Sequence, residues 1–443
     1  MTPAAFAVPR WLAGAAIACL AGYIYAYASG RAGVPIRSDA FSYYVYLPAW
    51  ALHHDPSLQA VADDCCGGEF PDWTAIVRWR FTRQWVNAHP IGEAIMIAPF
   101  FAVAHALTRW TNLSPDGFTP YYQHGAGLAG LFYVIAGLWF LHRLLQRYFS
   151  TRVTAATLVT LLAGTSLYHY ATFDSTWSHA FTFALFSAFL ERFDARRPGR
   201  LGDAVVLGVI AGLLTLVRHT NVLIPICLYG VPQVASAFRL RAARGGGQAG
   251  VPAETVRRAS LRDLPILPAG VAALLVLPQL WIYHRATGHW IVSSYGDLGF
   301  TFGSPNLAGV LVSPTKGLFF YAPLLLLAIP GLAALPGRLR EWRVPLAVLL
   351  VVNTYLIASW WDWQFGASYG HRGFVDFYPA FALGLAVTFT RVTDRAPLRM
   401  ATACAVAVLC ALSLFQMLQY WHGILPMSDV TWTQYRALFL QWQ

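Results

Sequence analysis

The stretch IGEAIMIAPFFAVAHALT, residues 91–108, decides how this chain is threaded. It is apolar enough to be read as a membrane span, yet it is short and carries Glu93, Pro99 and His105. If it crosses, helix parity puts the connection HRLLQRYFSTR (142–152) on the outer side, against its charge. Arginine-rich connections collect on the cytoplasmic side of membranes. Proline breaks the helical hydrogen-bond ladder, and irregular backbone at membrane depth needs protein or water around it. The reading adopted is that 91–108 does not fully cross. It is a broken or juxtamembrane segment inside one large outer loop, 31–119.

Composition sets the class. Of 443 residues, 57% are hydrophobic and 12% charged, with a mean hydropathy of +0.49. Soluble domains carry about 25% charged residues. Apolar runs of roughly 17 to 22 residues recur, the length that crosses ~30 Å of hydrocarbon. The expectation is an all-α, polytopic membrane protein forming one integral domain over 1–443. About eleven spans are read near 9–30, 120–141, 153–173, 177–191, 203–217, 221–238, 264–284, 318–335, 344–360, 376–390 and 400–420. The connections 142–152, 191–203, 239–263, 336–343 and 391–399 are arginine-rich and read as cytoplasmic. The glycine-rich GGGQAGVPAE makes 239–263 a flexible cytoplasmic loop. The connections 31–119, 171–178, 218–220, 285–317 and 361–375, and the tail 421–443, then face outward. The N-terminus is inside and the C-terminus outside. The net charge of +11 serves orientation, and no nucleic-acid partner is implied.

The cysteines form no framework. Cys19, Cys227, Cys404 and Cys410 lie in apolar runs. Cys65 and Cys66 are adjacent, neighbours bridge with difficulty, and their redox state stays open. With Asp63, Asp64 and Glu69 they match no metal-ligand spacing.

Just past the first span stands RSDAFSYYVYLPAW, residues 37–50. Tyr43, Tyr46, Leu47 and Trp50 recur at one helical face. Such a face suits a helix lying at the headgroup level of the outer leaflet, started at Asp39. Asp39 or Ser38 has a plainer reading as its N-cap. Asp174, in FDSTWSHAFTF, reads equally as the cap of the helix from Ser175.

These motifs, in order, resemble the GT-C superfamily of membrane glycosyltransferases, including the bacterial mannosyltransferase-like and aminoarabinose-transferase-like members. RSDAFSYYVYLPAW resembles the family's early outer-loop acid, and HPIGEAIMIAPFF its proline-containing juxtamembrane segment. FDSTWSHAFTF, LVRHTN, SPTKGLFFYAP and WWDWQFGASYGHR follow, all placed on one side. The resemblance implies a GT-C-like bundle with juxtamembrane helices in its first outer loop. It implies an inverting glycosyltransferase of hexosyl or pentosyl type, in a bacterial inner membrane. Donors there are polyprenyl-phosphate-linked sugars, and acceptors are envelope glycans, lipids or proteins on the periplasmic face.

Such transfer needs a base for the acceptor hydroxyl, positive groups for the departing phosphate, and a groove for the lipid. By position the base maps onto Asp39. Asp174 would position the acceptor or assist a divalent cation, if one is used; no metal ligand set is assigned. Outer cations oppose the orientation bias, so Arg372, Lys316 and Arg218 are read as donor-phosphate ligands, with His371 sharing the role of Arg372. Headgroup anchoring explains each of these equally. Gly366 and Gly370 favour Arg372, because they allow close backbone approach. Tyr44, His179, Trp361, Trp363 and Tyr369 are candidates for sugar or acceptor contact, against an interfacial aromatic belt and core packing. Two other functions compete. A lipid-linked glycan transporter or flippase wants ionisable groups deep in its spans. A polymerase or ligase with a lipid diphosphate donor wants outer arginines without Asp39.

Overall fold

A computed structural model describes residues 8–197, 199–245, 265–292, 298–393 and 396–442. Most of the loop expected at 239–263, with its glycine-rich stretch, lies outside the described residues. Helix α1 is Arg10–Ala28; α2 and α3, Asp39–Tyr44 and Tyr46–Ala51; α4, Gln59–Cys66. A small antiparallel pair, β1 (Ile76–Arg78) and β2 (Trp85–Asn87), sets Val77 opposite Val86. Then come α5 (Gly92–Trp110), α6 (Pro120–Leu145), α7 (Thr151–Ala163), α8 (Leu167–Thr172), α9 (Ser178–Ala195), α10 (Leu201–Val217), α11 (Leu223–Gly245) and α12 (Ile266–Thr287). The last third holds α13 (Leu307–Val312), α14 (Leu318–Tyr321), α15 (Ala328–Leu332), α16 (Arg343–Ser359), α17 (Tyr378–Thr393), α18 (Ala396–Trp421) and α19 (Trp432–Leu438). Six helical stretches among the described residues are long and apolar enough to cross a membrane. They contain α1, α6, α12, α16, α17 and α18.

Several expected spans differ from single crossing helices. The run 153–173 breaks after Ala163, and α8 restarts it at Leu167. The run 318–335 becomes α14, a 3-10 turn over Pro323–Leu327, and α15. Proline 323 cannot donate to the ladder, and it pushes Ala322 out of helical geometry to φ −134° and ψ 60°.

The helix α9 is the centre of the bundle. All of it but Arg192 and Ala195 is buried. Its neighbours approach through glycines: a methyl on Gly130 of α6 would sit 1.6 Å from the Ser175 carbonyl oxygen, and one on Gly137 would sit 2.7 Å from the Phe183 ring. Without a hydrophobic drive between helices in lipid, such small-residue contacts carry the association. At the far end of α9 an ion-pair cluster ties it to the α6–α7 connection. Arg147 binds Glu191 and reaches Asp194 at 2.8 Å, and Tyr148 donates to Asp194 at 2.5 Å.

Helix α5 is continuous through Pro99. It runs beside the first half of α6: Tyr133 Oη donates to the Met96 carbonyl, Gly125 packs on Phe100 and Ala104, and His105 pairs with Tyr122 at 2.6 Å. Its first residue, Gly92, abuts Leu216 and Val217 at the end of α10. From Tyr133 onward α6 continues to Leu145.

The expected aromatic helix at 39–50 is two short turns, α2 and α3, sharing Val45. Its rings face protein instead of headgroups. Tyr43 and Tyr46 are buried, Tyr43 stacks on His89 with centroids 4.1 Å apart, and Tyr46 Oη donates to the His89 carbonyl at 2.8 Å. Cys65 and Cys66 are joined to each other in a disulfide.

A close glycine contact also joins α15 and α17. A methyl on Gly384 would stand 2.2 Å from the Ala328 carbonyl oxygen. Gly384→Ala is expected to destabilise by about 1–3 kcal/mol through overpacking, read as a lowered thermal midpoint in detergent. An unchanged midpoint would mean that these helices separate freely.

Candidate active site

The cavity forms where six elements end. Asp39 is the first residue of α2, His89 follows β2, and Ser178 and His179 open α9. Arg218 and His219 follow α10, Trp360 to Asp362 follow α16, and Arg372 and Asp376 belong to the turn before α17. Together these residues line a space of about 460 Å³ with Tyr43, Asn353 and Phe365. The loop 360–371 reverses through Gly366 and Gly370, both with left-handed φ, at 63° and 60°. These glycines shape the turn that delivers Arg372.

Two guanidinium–carboxylate pairs face the space. Arg372 Nη1 donates to Asp39 Oδ2 at 2.5 Å. Its guanidinium stacks 4.6 Å over Trp177, and its Nε–H is buried without an acceptor among the described residues. Arg218 Nη1 donates to Asp376 Oδ2 at 3.2 Å. His179 Nδ1 lies 2.7 Å from the other Asp376 oxygen. With a carboxylate as its partner, Nδ1 carries the proton and Nε2 is left as an acceptor.

Burial would raise the Asp39 carboxyl, but Arg372, with His89, brings it down to about 2. Burial pulls His89 down to about 4, so it is neutral at pH 7. The cavity therefore presents a carboxylate of suppressed basicity, two guanidinium groups with further donors, and a wall of Trp360, Trp361 and Phe365.

Asp39, Arg372, Arg218, His179 and Trp361 are brought together. The other expected residues are elsewhere. Lys316 is buried; its ammonium donates to the Ser368 carbonyl and, at 2.7 Å, to the Met427 carbonyl. It clamps the loop 360–371 to the segment after α18 and does not line the cavity. Burial lowers its pKa to about 7. His371 is buried, with Nε2 at 2.9 Å from the Trp363 carbonyl oxygen. Tyr44 Oη donates to the Gly117 carbonyl, and its neighbour Tyr43 takes the cavity position. Tyr369 Oη donates to the Ser413 carbonyl. Trp363 is half-buried and packs on the core. Asp174 caps no helix: α9 starts at Ser178 with Trp177 as N-cap. Asp174 instead receives Arg37 at 2.5 Å and His169 at 2.8 Å.

Asp376 and His89 were missed. Asp376 sits at the start of an expected span, and an acid within such a segment is itself a functional signal. His89 lies in NAHP, before the run 91–108, with nothing local to mark it.

No protein-family model and no curated protein matches this sequence. Among solved structures, the chain is similar to the archaeal oligosaccharyltransferase AglB from Archaeoglobus fulgidus, in complex with an inhibitory peptide and a dolichol-phosphate. The TM-score is 0.45 at 9% identity, over 97% of this chain and 54% of that one. This chain thus spans about half the length of that protein.

Two measurements check the site. Lys316→Met leaves two buried carbonyls unpaired, at a cost of about 1–3 kcal/mol. It is expected to lower thermal stability and leave polyprenyl-phosphate affinity unchanged; a selective loss of affinity would return Lys316 to the cavity. The second concerns pH. Because Asp39 is depressed in the folded protein, its contribution to stability is complete above about pH 4 and is lost as pH falls toward about 2. The difference in thermal midpoint between wild type and Asp39→Asn should hold from pH 5 to 8 and shrink below pH 4.

Proposed function

We propose that the protein is a membrane glycosyltransferase of the GT-C type. It moves a sugar from a polyprenyl-phosphate donor to a hydroxyl of a cell-envelope glycan, lipid or protein. Its site faces the periplasmic side of a bacterial inner membrane, and its N-terminus is cytoplasmic. The observation that carries this reading is the meeting of Asp39, Arg372 and Arg218 at one cavity, beside an aromatic wall.

The chemistry follows from these groups. The acceptor hydroxyl attacks the anomeric carbon and loses its proton to Asp39. The bond from that carbon to the phosphate oxygen breaks, and its electron pair leaves with the phosphate. Arg372 and Arg218 stabilise the growing phosphate charge by charge-assisted hydrogen bonds. One displacement inverts the anomeric centre. Arg372 and the donor interact with consequence for the base. While Arg372 holds Asp39 the carboxylate is a weak base, and a phosphate that attracts Arg372 restores its basicity. Trp360, Trp361 and Phe365 supply faces for the sugar ring or the isoprenoid. The phosphate charge is assigned to the arginines, whose planar forks match phosphate oxygens.

One observation favours a second reading of the proton acceptor. His179, oriented by Asp376, has no partner at Nε2 among the described residues and lines the same cavity. This is the arrangement of a general base held in one tautomer by a carboxylate.

Purified wild type, Asp39→Asn and His179→Gln, supplied with polyprenyl-phosphate sugars and envelope extract, separate these readings. General-base loss is typically 10²–10⁴-fold. Asp39→Asn is expected to lose transfer by about 100-fold or more while keeping donor binding, with His179→Gln affected less. The reverse order assigns the proton to His179. Arg372→Lys should weaken donor binding, since a point charge replaces a planar fork; a donor-independent defect would place the phosphate elsewhere. For sidedness, a cysteine introduced at 112–116 should label from the outside, and one at 145–150 only from the inside. Inside labelling at 112–116 would mean that α5 crosses.

A further inference from the structure

Asp174 lies behind the cavity, not in it, yet it is the end of a chain of contacts that leads to Asp39. Arg37 stands two residues before Asp39. Its guanidinium donates to Asp174 Oδ1 at 2.5 Å, to the Phe173 carbonyl at 3.2 Å and to the Val34 carbonyl at 2.8 Å. It also lies over the Phe173 ring at 5.2 Å. Asp174 Oδ2 is met by His169 Nε2 at 2.8 Å, and Trp421 Nε1 donates to His169 Nδ1 at 2.8 Å. Indole nitrogen only donates, so Nδ1 accepts and the proton of His169 sits on Nε2, aimed at Asp174. Both side-chain oxygens of Asp174 are thereby engaged by groups of the protein itself.

Between Arg37 and Asp39 sits Ser38, at φ 51° and ψ −134°. Residues other than glycine rarely occupy this region, and they persist there only where the surroundings over-determine them. The surroundings do so here. Arg37 is fixed by Asp174, the Pro35 carbonyl by Thr176 Oγ1 at 2.5 Å, and the Ile36 amide by Gln123 at 2.8 Å. On the other side, α2 starts at Asp39, with the Ala40 and Phe41 amides bonded to the Arg37 and Ser38 carbonyls. Turning Ser38 back to negative φ would rotate α2, and Asp39 with it.

We propose that Asp174 is a positioning residue for the transferase site: through Arg37 it holds the left-handed backbone at Ser38 and so sets the direction in which Asp39 meets the cavity. This rests on the reading of Asp39 as proton acceptor. The expected catalytic role of Asp174 becomes an indirect one, and the outer loop 173–178 serves the site twice, since Trp177 carries Arg372.

The test uses glycine at position 38, which removes the bias toward negative φ. The full-length protein in nanodiscs is compared as wild type, Asp174→Asn, and Asp174→Asn with Ser38→Gly. Two readouts are taken: transfer from a polyprenyl-phosphate hexose or pentose, and hydrogen exchange of amides 39–45. Asp174→Asn should lower kcat at least tenfold with the donor KM within threefold. It should also raise exchange over 39–45. The double variant should return to within threefold of wild-type kcat and regain protection. Equal impairment of the single and double variants, or unchanged exchange in Asp174→Asn, overturns the proposal. If wild type transfers no sugar from any such donor, the transferase reading fails, and the exchange data still judge the clamp.

Discussion

The ion pair between Arg372 and Asp39 joins residues 333 positions apart, and both line the cavity. It binds the start of α2 to the turn before α17. Both charges leave most of their water, which costs free energy that only good geometry repays. Here the repayment is a short charge-assisted bond and the face of Trp177 under the guanidinium. A pair of this kind is weak support for stability in itself. Its consequence lies in holding two opposite charges together at the cavity.

The geometry of that pair is set by α9 and the loop before it. One end of α9 carries Glu191 and Asp194 in the cluster with Arg147. The other carries His179 into the cavity, roughly 20 Å away at 1.5 Å per residue. A helix buried on every side tilts little, so the charged groups at its two ends keep their separation. The loop 173–178 translates this rigidity to the surface: Asp174 fixes Arg37, Thr176 fixes Pro35, and Trp177 supports Arg372. Close glycine packing of α6 on α9 lets the helix backbones approach and leaves the polar contacts to be made at the ends.

Much of this was legible beforehand, for different reasons at different residues. Asp39 stood out because by position it matches the early acid of the family the sequence resembles, and Arg372 because a cation read as lying on the outer side opposes the orientation bias and needs another reason. Lys316 stood out for the same reason, and its partners proved to be backbone carbonyls. A cation's need for acceptors is visible in a sequence; the kind of acceptor is not. The aromatic face of 39–50 was read for headgroups because its periodicity shows only that one side is apolar. Whether lipid or protein covers that side depends on where β2 and His89 pack, far along the chain. Asp376 was overlooked because it sits in what reads as the start of a span, and its partners Arg218 and His179 come from two other helices.

From composition and period alone came the helical membrane class and the grouping of the unusual charges. Apolar length and charge placement are local quantities, and they act segment by segment. Which carboxylate enters the cavity, which one stands behind it, and that Ser38 takes a left-handed turn between them were decided only by tertiary structure. These depend on contacts between residues more than a hundred positions apart, and no local pattern encodes the direction in which such side chains meet.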